Sequence, residues 1–111
     1  MTELYLDEAL FEELRGILED EFPVLISTYI QDSALRVNDL RAAMTRGDAD
    51  AVRKAAHSLK GSSANLGLVY LSSLCRIVED EARAGKAEQE DYMVQIQQEQ
   101  MHSTGLLRDR L

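Results

Sequence analysis

Three residues that can do chemistry together lie close along the chain: His57, Lys60 and Gly61. Wound as an α-helix at about 100° per residue, this segment places all three on one strip, with His57 pointing roughly 160° away from the apolar face. Near pH 7 an imidazole is largely neutral and carries a nitrogen lone pair, so an outward-facing histidine can act as a nucleophile. Lys60 adds a positive charge, and Gly61 leaves open space. The pattern indicates chemistry on a molecule that docks from outside.

Two further residues, Arg53 and Ala64, flank the same strip within about 60° of His57. A single exposed histidine or lysine is usually only a solvated surface residue. A glycine inside a helix, however, costs about 1 kcal/mol relative to alanine. Gly61 therefore predicts either a bend in the helix or the close approach of a partner.

The elements that must position these residues are helices. Asp7 and Asp48 are suited to N-caps, and Gly47 and Gly67 are suited to helix stops. The predicted helices span approximately residues 7–20, 22–44, 48–66, 69–85 and 88–107. Apolar residues at helical spacing define the inner side of the short first helix, namely Leu10, Leu14, Ile17 and Leu18.

The arrangement of these helices follows from their short links. No stretch alternates apolar and polar residues with a period of two, and no internal repeat occurs. The predicted fold class is all-α, an antiparallel up-down-up-down four-helix bundle with the short N-terminal helix covering one end. With 111 residues, of which 45% are apolar, the chain is predicted to be a single domain over 1–111.

The chain is acidic, with a net charge of −8. Nucleic acid and membrane are therefore not expected as partners, because nucleic acids and anionic bilayers require a basic surface. The charge is uneven, since residues 36–60 carry six bases and three acids. This segment is either an ordinary solvated surface or a local positive field that steers an acidic partner onto His57.

Cysteine and histidine are too few for a disulfide or a metal site. The lone Cys75 falls on the apolar side of its helix, which predicts a buried, inert thiol in a reducing compartment. The chain has two histidines and one cysteine, none at ligand spacing, so no metal or other cofactor is expected. The first residues contain neither a basic n-region nor an apolar stretch, and we expect a cytoplasmic location.

The run from Ala56 to Gly67 resembles the signature of histidine-containing phosphotransfer (HPt) domains of two-component phosphorelays. That signature is a histidine, two residues, Lys-Gly and a later glycine, and here it is met by His57, Lys60, Gly61 and Gly67. The similarity extends over most of the chain. Further residues that resemble members of this family are Gly47, Asp48, Leu71, Leu74 and Cys75.

The resemblance implies a phosphoryl carrier. His57 would accept a phosphoryl group from the aspartyl phosphate of a receiver domain and pass it to an aspartate of another response regulator. Lys60 would lie near the phosphoryl oxygens, and Gly61 would let the rim of the receiver close in. Glu79, on the flank of the fourth helix, is the candidate for holding the other imidazole nitrogen.

The partners implied are the receiver domain of a hybrid sensor kinase and that of a response regulator, with Mg²⁺ on the receiver. Arg53 and Ala64 would support the same face. We expect a monomer, because one carrier face and no second apolar patch are evident in the sequence.

Two other functions are open at this point. An ATP-using histidine kinase also carries a reactive histidine on a helix, but its dimerisation helix typically has an acidic residue where Ser58 stands. The chain also has no glycine-rich nucleotide motif, so neither ATP binding nor autonomous kinase activity is expected. The remaining alternative is a non-phosphorylated helical adaptor that binds a signalling partner through its acidic, Gln-rich surface.

Overall fold

Five helices make up the part of the chain that the structure, a computed structural model, describes, which is residues 5–111. Their bounds are Glu8–Leu18 (α1), Phe22–Arg46 (α2), Ala49–Asn65 (α3), Val69–Arg83 (α4) and Glu90–Asp109 (α5). Helix α2 packs against α3 and α5, and α4 packs against the same two helices. The predicted antiparallel four-helix bundle is therefore confirmed. Residues 1–4 of the predicted domain lie outside the described residues.

The helix ends follow the predicted capping pattern. The side chain of Asp7 accepts a hydrogen bond from the backbone N–H of Leu10 (3.1 Å), and Asp48 accepts one from Ala51 (3.0 Å). Gly47 ends α2 with a φ of 71°, in the left-handed region that glycine adopts without strain. Because the turn is this short, α3 must run back along α2.

Gly67 fixes the approach of the N-terminal segment. Its φ is 80°, and a Cβ at this position would lie 3.1 Å from the carbonyl oxygen of Asp7. The backbone N–H of Asp7 donates to the carbonyl of Gly67 at 2.7 Å. The later glycine of the sequence motif thus both ends α3 and makes room for the start of α1.

Helix α1 covers one end of the bundle, as predicted. The guanidinium group of Arg110 pairs with the carboxylate of Glu8, and Arg15 donates to the carbonyl of Arg110 at 2.7 Å. The predicted inner side was partly wrong, because Ile17 is 68% exposed whereas Phe11 is fully buried. The reason is the rotation of α1 about its own axis: Phe11, Leu14 and Leu18 form the face that packs on the core, and Ile17 is turned about 100° from Leu18, toward solvent.

The ends of α1 and α5 differ from the expected ones. Helix α1 stops at Leu18, and a short 3₁₀ turn over Glu19–Glu21 leads directly into α2. Helix α5 continues through Gly105 to Asp109, because Leu107, which follows the glycine, is fully buried and anchors the last turn. Burial of a leucine side chain is worth about 2 kcal/mol, which exceeds the helix penalty of one glycine.

The core contains polar groups that are satisfied in pairs. Ser63 of α3 is fully buried, and its hydroxyl lies 2.8 Å from that of Tyr29 on α2. Burial of the phenol raises the pKa of Tyr29 to about 12, so it is a neutral hydrogen-bonding group at physiological pH. This contact fixes the axial position of α3 against α2. It therefore also fixes the position along the bundle from which His57 projects.

Candidate functional site

His57 lies in the middle of α3, on the side opposite the buried residues Val52, Leu59 and Ser63. Its side chain is 65% exposed, which confirms the predicted outward direction. The inner edge of the ring is held, since Nδ1 lies 2.7 Å from Oε2 of Glu79 on α4. The imidazole is therefore exposed and oriented at the same time.

Glu79 is the buried acid of this site, with only 2% of its side chain exposed. Lys60 donates from Nζ to Oε1 at 2.6 Å, and Arg83 donates to Oε2 at 3.2 Å. Burial alone would raise the pKa of Glu79, but the hydrogen bonds from Lys60 and His57 outweigh it and hold this pKa below its usual range. Glu79 is thus a carboxylate at neutral pH.

This arrangement decides which imidazole nitrogen is reactive. A carboxylate can only accept hydrogen bonds, so the Nδ1 facing it carries the proton. In the neutral ring the lone pair is then on Nε2, which lies on the far side of the ring, away from Glu79. The site presents a nucleophilic nitrogen to the outside of the bundle.

Lys60 is a cation beside His57 that can serve a negatively charged group on the imidazole. It follows the histidine by one helical turn, and its side chain is 28% exposed. Its backbone carbonyl accepts a hydrogen bond from Ser72 of α4 at 3.4 Å, which ties this turn of α3 to α4. The ammonium group is therefore anchored on Glu79 and still reachable from solvent.

Gly61 leaves an open surface beside the histidine. A Cβ at this position would meet no atom within 4 Å, and α3 is an α-helix without interruption from Ala49 to Asn65. The glycine therefore neither interrupts the helix nor relieves a clash within the chain. The open surface agrees with the second explanation offered by the sequence, the close approach of a partner.

The two supporting residues predicted from the sequence have different positions. Ala64 is exposed on the strip that contains Gly61. Arg53 pairs with Asp50 on its own helix at 2.9 Å, so no contact joins it to the imidazole. The structure brings Lys60 and Glu79 to His57, and it leaves Arg53 one turn away in an ion pair of its own.

Arg83 is the site residue that the sequence analysis missed. It contacts the same oxygen of Glu79 that faces His57, and it also donates to Asp80 at 3.2 Å. Its spacing of four residues from Glu79 on α4 is the signal that was available, because acid–base pairs at this spacing face one another on a helix.

Two other side chains that are capable of chemistry, Cys75 and His102, lack the arrangement of exposed imidazole, buried carboxylate and cations found at His57. Cys75 is buried beneath the site, as predicted, and burial raises the pKa of its thiol to about 12. His102 on α5 lies 3.1 Å from Glu99 and packs edge-on against the ring of Tyr5. No salt bridge brings a lysine or arginine to that carboxylate within residues 5–111.

Two larger features bear on the class of protein. Within the described part of the chain, every helix is too short or too polar to span a bilayer. Residues 5–111 contain no group of three or more histidine, cysteine, aspartate or glutamate residues placed to hold a metal ion.

Comparison with known proteins agrees with this geometry. The family model described as the Hpt domain matches residues 24–110. The chain belongs to the Hpt domain family. The resemblance stated from the sequence is thus confirmed, and it covers α2 to α5, which form the bundle.

Two named relatives support the assignment to the Hpt family. Histidine-containing phosphotransfer protein 4 of Arabidopsis thaliana is 34% identical over 90 residues, which cover 76% of this chain and 70% of that protein. The crystal structure of histidine-containing phosphotransfer protein B (HptB) from Pseudomonas aeruginosa PAO1 has a TM-score of 0.90 and 37% identity, covering 96% of this chain and 93% of that one.

Hpt membership and these relatives establish the coarse function. The chain is a phosphorelay intermediate, and Hpt proteins of this kind interact with receiver domains of two-component proteins. Hpt phosphotransfer carriers are not kinases. The roles of individual residues are not fixed by these comparisons and are argued from the geometry.

Proposed function

We propose that His57 accepts a phosphoryl group from the aspartyl phosphate of one receiver domain and transfers it to an aspartate of another. The observation that carries this proposal is the exposed imidazole whose Nδ1 is held by the buried carboxylate of Glu79 at 2.7 Å. It combines an oriented nucleophile with access for a whole protein domain, which is what in-line phosphoryl transfer requires.

Phosphoryl transfer exchanges one bond to phosphorus for another. The Nε2 lone pair of His57 forms the P–N bond while the P–O bond of the receiver's aspartyl phosphate breaks, and the bonding pair stays on the aspartate carboxylate. Onward transfer reverses these events at a second receiver. The chain itself supplies no phosphate donor, so it exchanges phosphate with partners and needs no ATP site.

Lys60 supports the reaction through charge. Phosphoryl transfer spreads negative charge over the equatorial oxygens, and a cation beside them lowers the barrier. Lys60 is anchored one turn from His57, and its ammonium group remains partly exposed. Mg²⁺ would be supplied by the receiver, which is consistent with a site on this chain that is built from one imidazole, one carboxylate and two cations.

The docking partner is proposed to be acidic near its phosphorylation site. Lys54, which is 68% exposed, and Arg53 lie one turn before His57, within the basic segment of an acidic chain. A positive field around the imidazole increases the rate of encounter with an acidic surface and weakens as salt is added. The specific partners proposed are the receivers of a hybrid sensor kinase and of a response regulator.

One copy of the chain suffices for this mechanism. His57, Lys60, Glu79 and Arg83 all come from α3 and α4 of a single protomer. The protein is therefore proposed to act as a monomer. The cytoplasmic location remains a prediction from the sequence.

The test is transfer of label from a ³²P-phosphorylated receiver to the protein. We expect an acid-labile, base-stable label in the parent, no label in His57→Gln, and an unchanged label in His102→Gln, the matched histidine control. Circular dichroism checks that the variants keep their helical content. Labelling of His57→Gln at the parent level would contradict the proposal. Receiver binding without label in the parent would instead favour the adaptor function.

A further inference from the structure

The carboxylate of Glu79, which faces His57, is ionised, and its negative charge acts on the imidazole ring after phosphorylation. Glu79 contacts Nδ1 at 2.7 Å, is 2% exposed and is held in its ionised form by Lys60 and Arg83. A neutral hydrogen-bond acceptor at the same place would orient the ring equally well. A carboxylate does something more, because it also attracts positive charge on the ring.

Positive charge develops on the ring as soon as the phosphoryl group is attached. In the neutral form that can attack phosphorus, the imidazole has its proton on Nδ1, which faces the carboxylate, and its lone pair on Nε2. When Nε2 uses that pair to form the P–N bond, the ring keeps the Nδ1 proton and becomes cationic. An imidazolium ring in water loses its proton near neutral pH. Whether the proton stays is therefore decided by what faces Nδ1.

We infer that Glu79 retains the proton on Nδ1 of phosphorylated His57, so that phosphoryl groups enter and leave the carrier without release or uptake of a proton. This inference rests on the proposed function of His57. It assigns Glu79 as a positioning residue that acts through the imidazole and does not touch the phosphoryl group.

The retained proton matters for onward transfer. When the P–N bond breaks, the electron pair returns to Nε2. With Nδ1 protonated, the leaving group is a neutral imidazole, whereas without that proton it would be an imidazolate anion, which leaves far less readily. The carboxylate thus keeps the phosphohistidine in the form that the next receiver can discharge.

The other charged groups near the ring do not reverse this effect. Lys60 and Arg83 are both hydrogen-bonded to Glu79, so their charges hold the carboxylate ionised. Most other charged side chains on these helices are paired among themselves: Asp50 pairs with Arg53 and Lys54 on α3, Asp80 pairs with Arg83 on α4, and Arg36 pairs with Asp32 and Asp39 on α2. Arg46 on α2 and Arg76 on α4 are exposed, and solvent screens their charges.

The test measures the protonation of Nδ1 directly by ¹⁵N NMR. The full chain carries His102→Gln, so that one imidazole remains, and is phosphorylated with phosphoramidate, or with a phosphorylated receiver if phosphoramidate leaves His57 unlabelled. The ring nitrogens are then followed from pH 5.5 to 9. The matched variant adds Glu79→Gln, whose amide oxygen can accept the same hydrogen bond but carries no charge.

We expect the phosphate on Nε2 in both proteins and a titration midpoint of Nδ1 that is at least about 1 pH unit higher with the carboxylate of Glu79 than in the Glu79→Gln variant. Correspondingly, as the pH is raised, the rate of transfer to a receiver declines at a lower pH in Glu79→Gln than in the protein that keeps Glu79. Equal midpoints on a phosphorylated ring would overturn the inference and leave the carrier function standing. Failure of both donors to label His57 would overturn the proposed function and the inference together.

Discussion

Substitution of Gly61 is expected to change stability and transfer in opposite directions. A Cβ at Gly61 would meet no atom within 4 Å, and the residue lies inside α3. Replacing glycine by alanine in a helix interior without a clash is worth about 0.5–1 kcal/mol. Gly61→Ala should therefore raise the free energy of unfolding by that amount, and Gly61→Arg should be at least as stable as the parent because arginine is a good helix former.

The rate of phosphoryl transfer, unlike the stability, should depend on the size of the side chain at position 61. Position 61 is one helical turn beyond His57, where neighbouring Cβ atoms are about 5–6 Å apart. The reacting atoms must approach to about 3–3.5 Å, and a misplacement of about 1 Å can slow a reaction about 100-fold. We expect a small effect for Gly61→Ala and at least a tenfold slower transfer for Gly61→Arg, which is a rise of about 1.4 kcal/mol in the barrier.

The assay pairs urea unfolding with single-turnover transfer from a labelled receiver. Gly105 is the matched control, because it lies inside α5, a Cβ there would also meet no atom within 4 Å, and its helix does not carry the site. Gly105→Arg should leave the rate unchanged. A normal rate in Gly61→Arg would refute the clearance argument, and a loss of stability in Gly61→Ala would show that the glycine serves the helix itself.

Three further changes test the surrounding contacts. Lys60→Ala should slow single-turnover transfer at least about tenfold while the Kd for the receiver changes less than about twofold. Equal losses of transfer rate and receiver affinity would indicate that Lys60 instead attracts the receiver. Because the pKa of Glu79 is lowered, its stabilisation is complete above about pH 4.3 and is lost as the pH falls through its folded-state pKa. The difference in urea midpoint between parent and Glu79→Gln should therefore shrink in acid, and a constant difference would contradict this. Tyr29→Phe should lower the unfolding free energy by about 1–2 kcal/mol by leaving Ser63 unpaired, and an unchanged unfolding curve would disprove that.

The sequence predicted the histidine's surroundings where they depend on one helix. The direction of His57 and the openness at Gly61 follow from the helical period alone, and capping by Asp48 sets where α3 begins. Glu79 could be proposed because the resemblance to HPt domains implies a polar side chain on the following helix that holds the imidazole, and Glu79 flanks the apolar stripe of α4. Arg83 was missed although it follows Glu79 by four residues, because that spacing indicates an ion pair but not its place beside His57, which depends on how α4 is rotated against α3.

Errors arose where tertiary packing overrides local pattern. Ile17 was assigned to the inner side of α1, but α1 is rotated so that Phe11, together with Leu14 and Leu18, faces the core and Ile17 faces solvent. Helix α5 was expected to stop near Leu107, but it continues to Asp109 because Leu107 is buried in the core and Arg110 pairs with Glu8, which is far away in the sequence. Contacts of this kind are invisible to a local window.

The hairpin of α3 and α4 holds every side chain that orients or charges the imidazole. Helices α1, α2 and α5 supply none of these groups. Substitutions on the outer surfaces of those three helices therefore leave the atoms that would carry the phosphoryl group in place, so most of the protein surface is able to diverge while the chemistry is inherited intact.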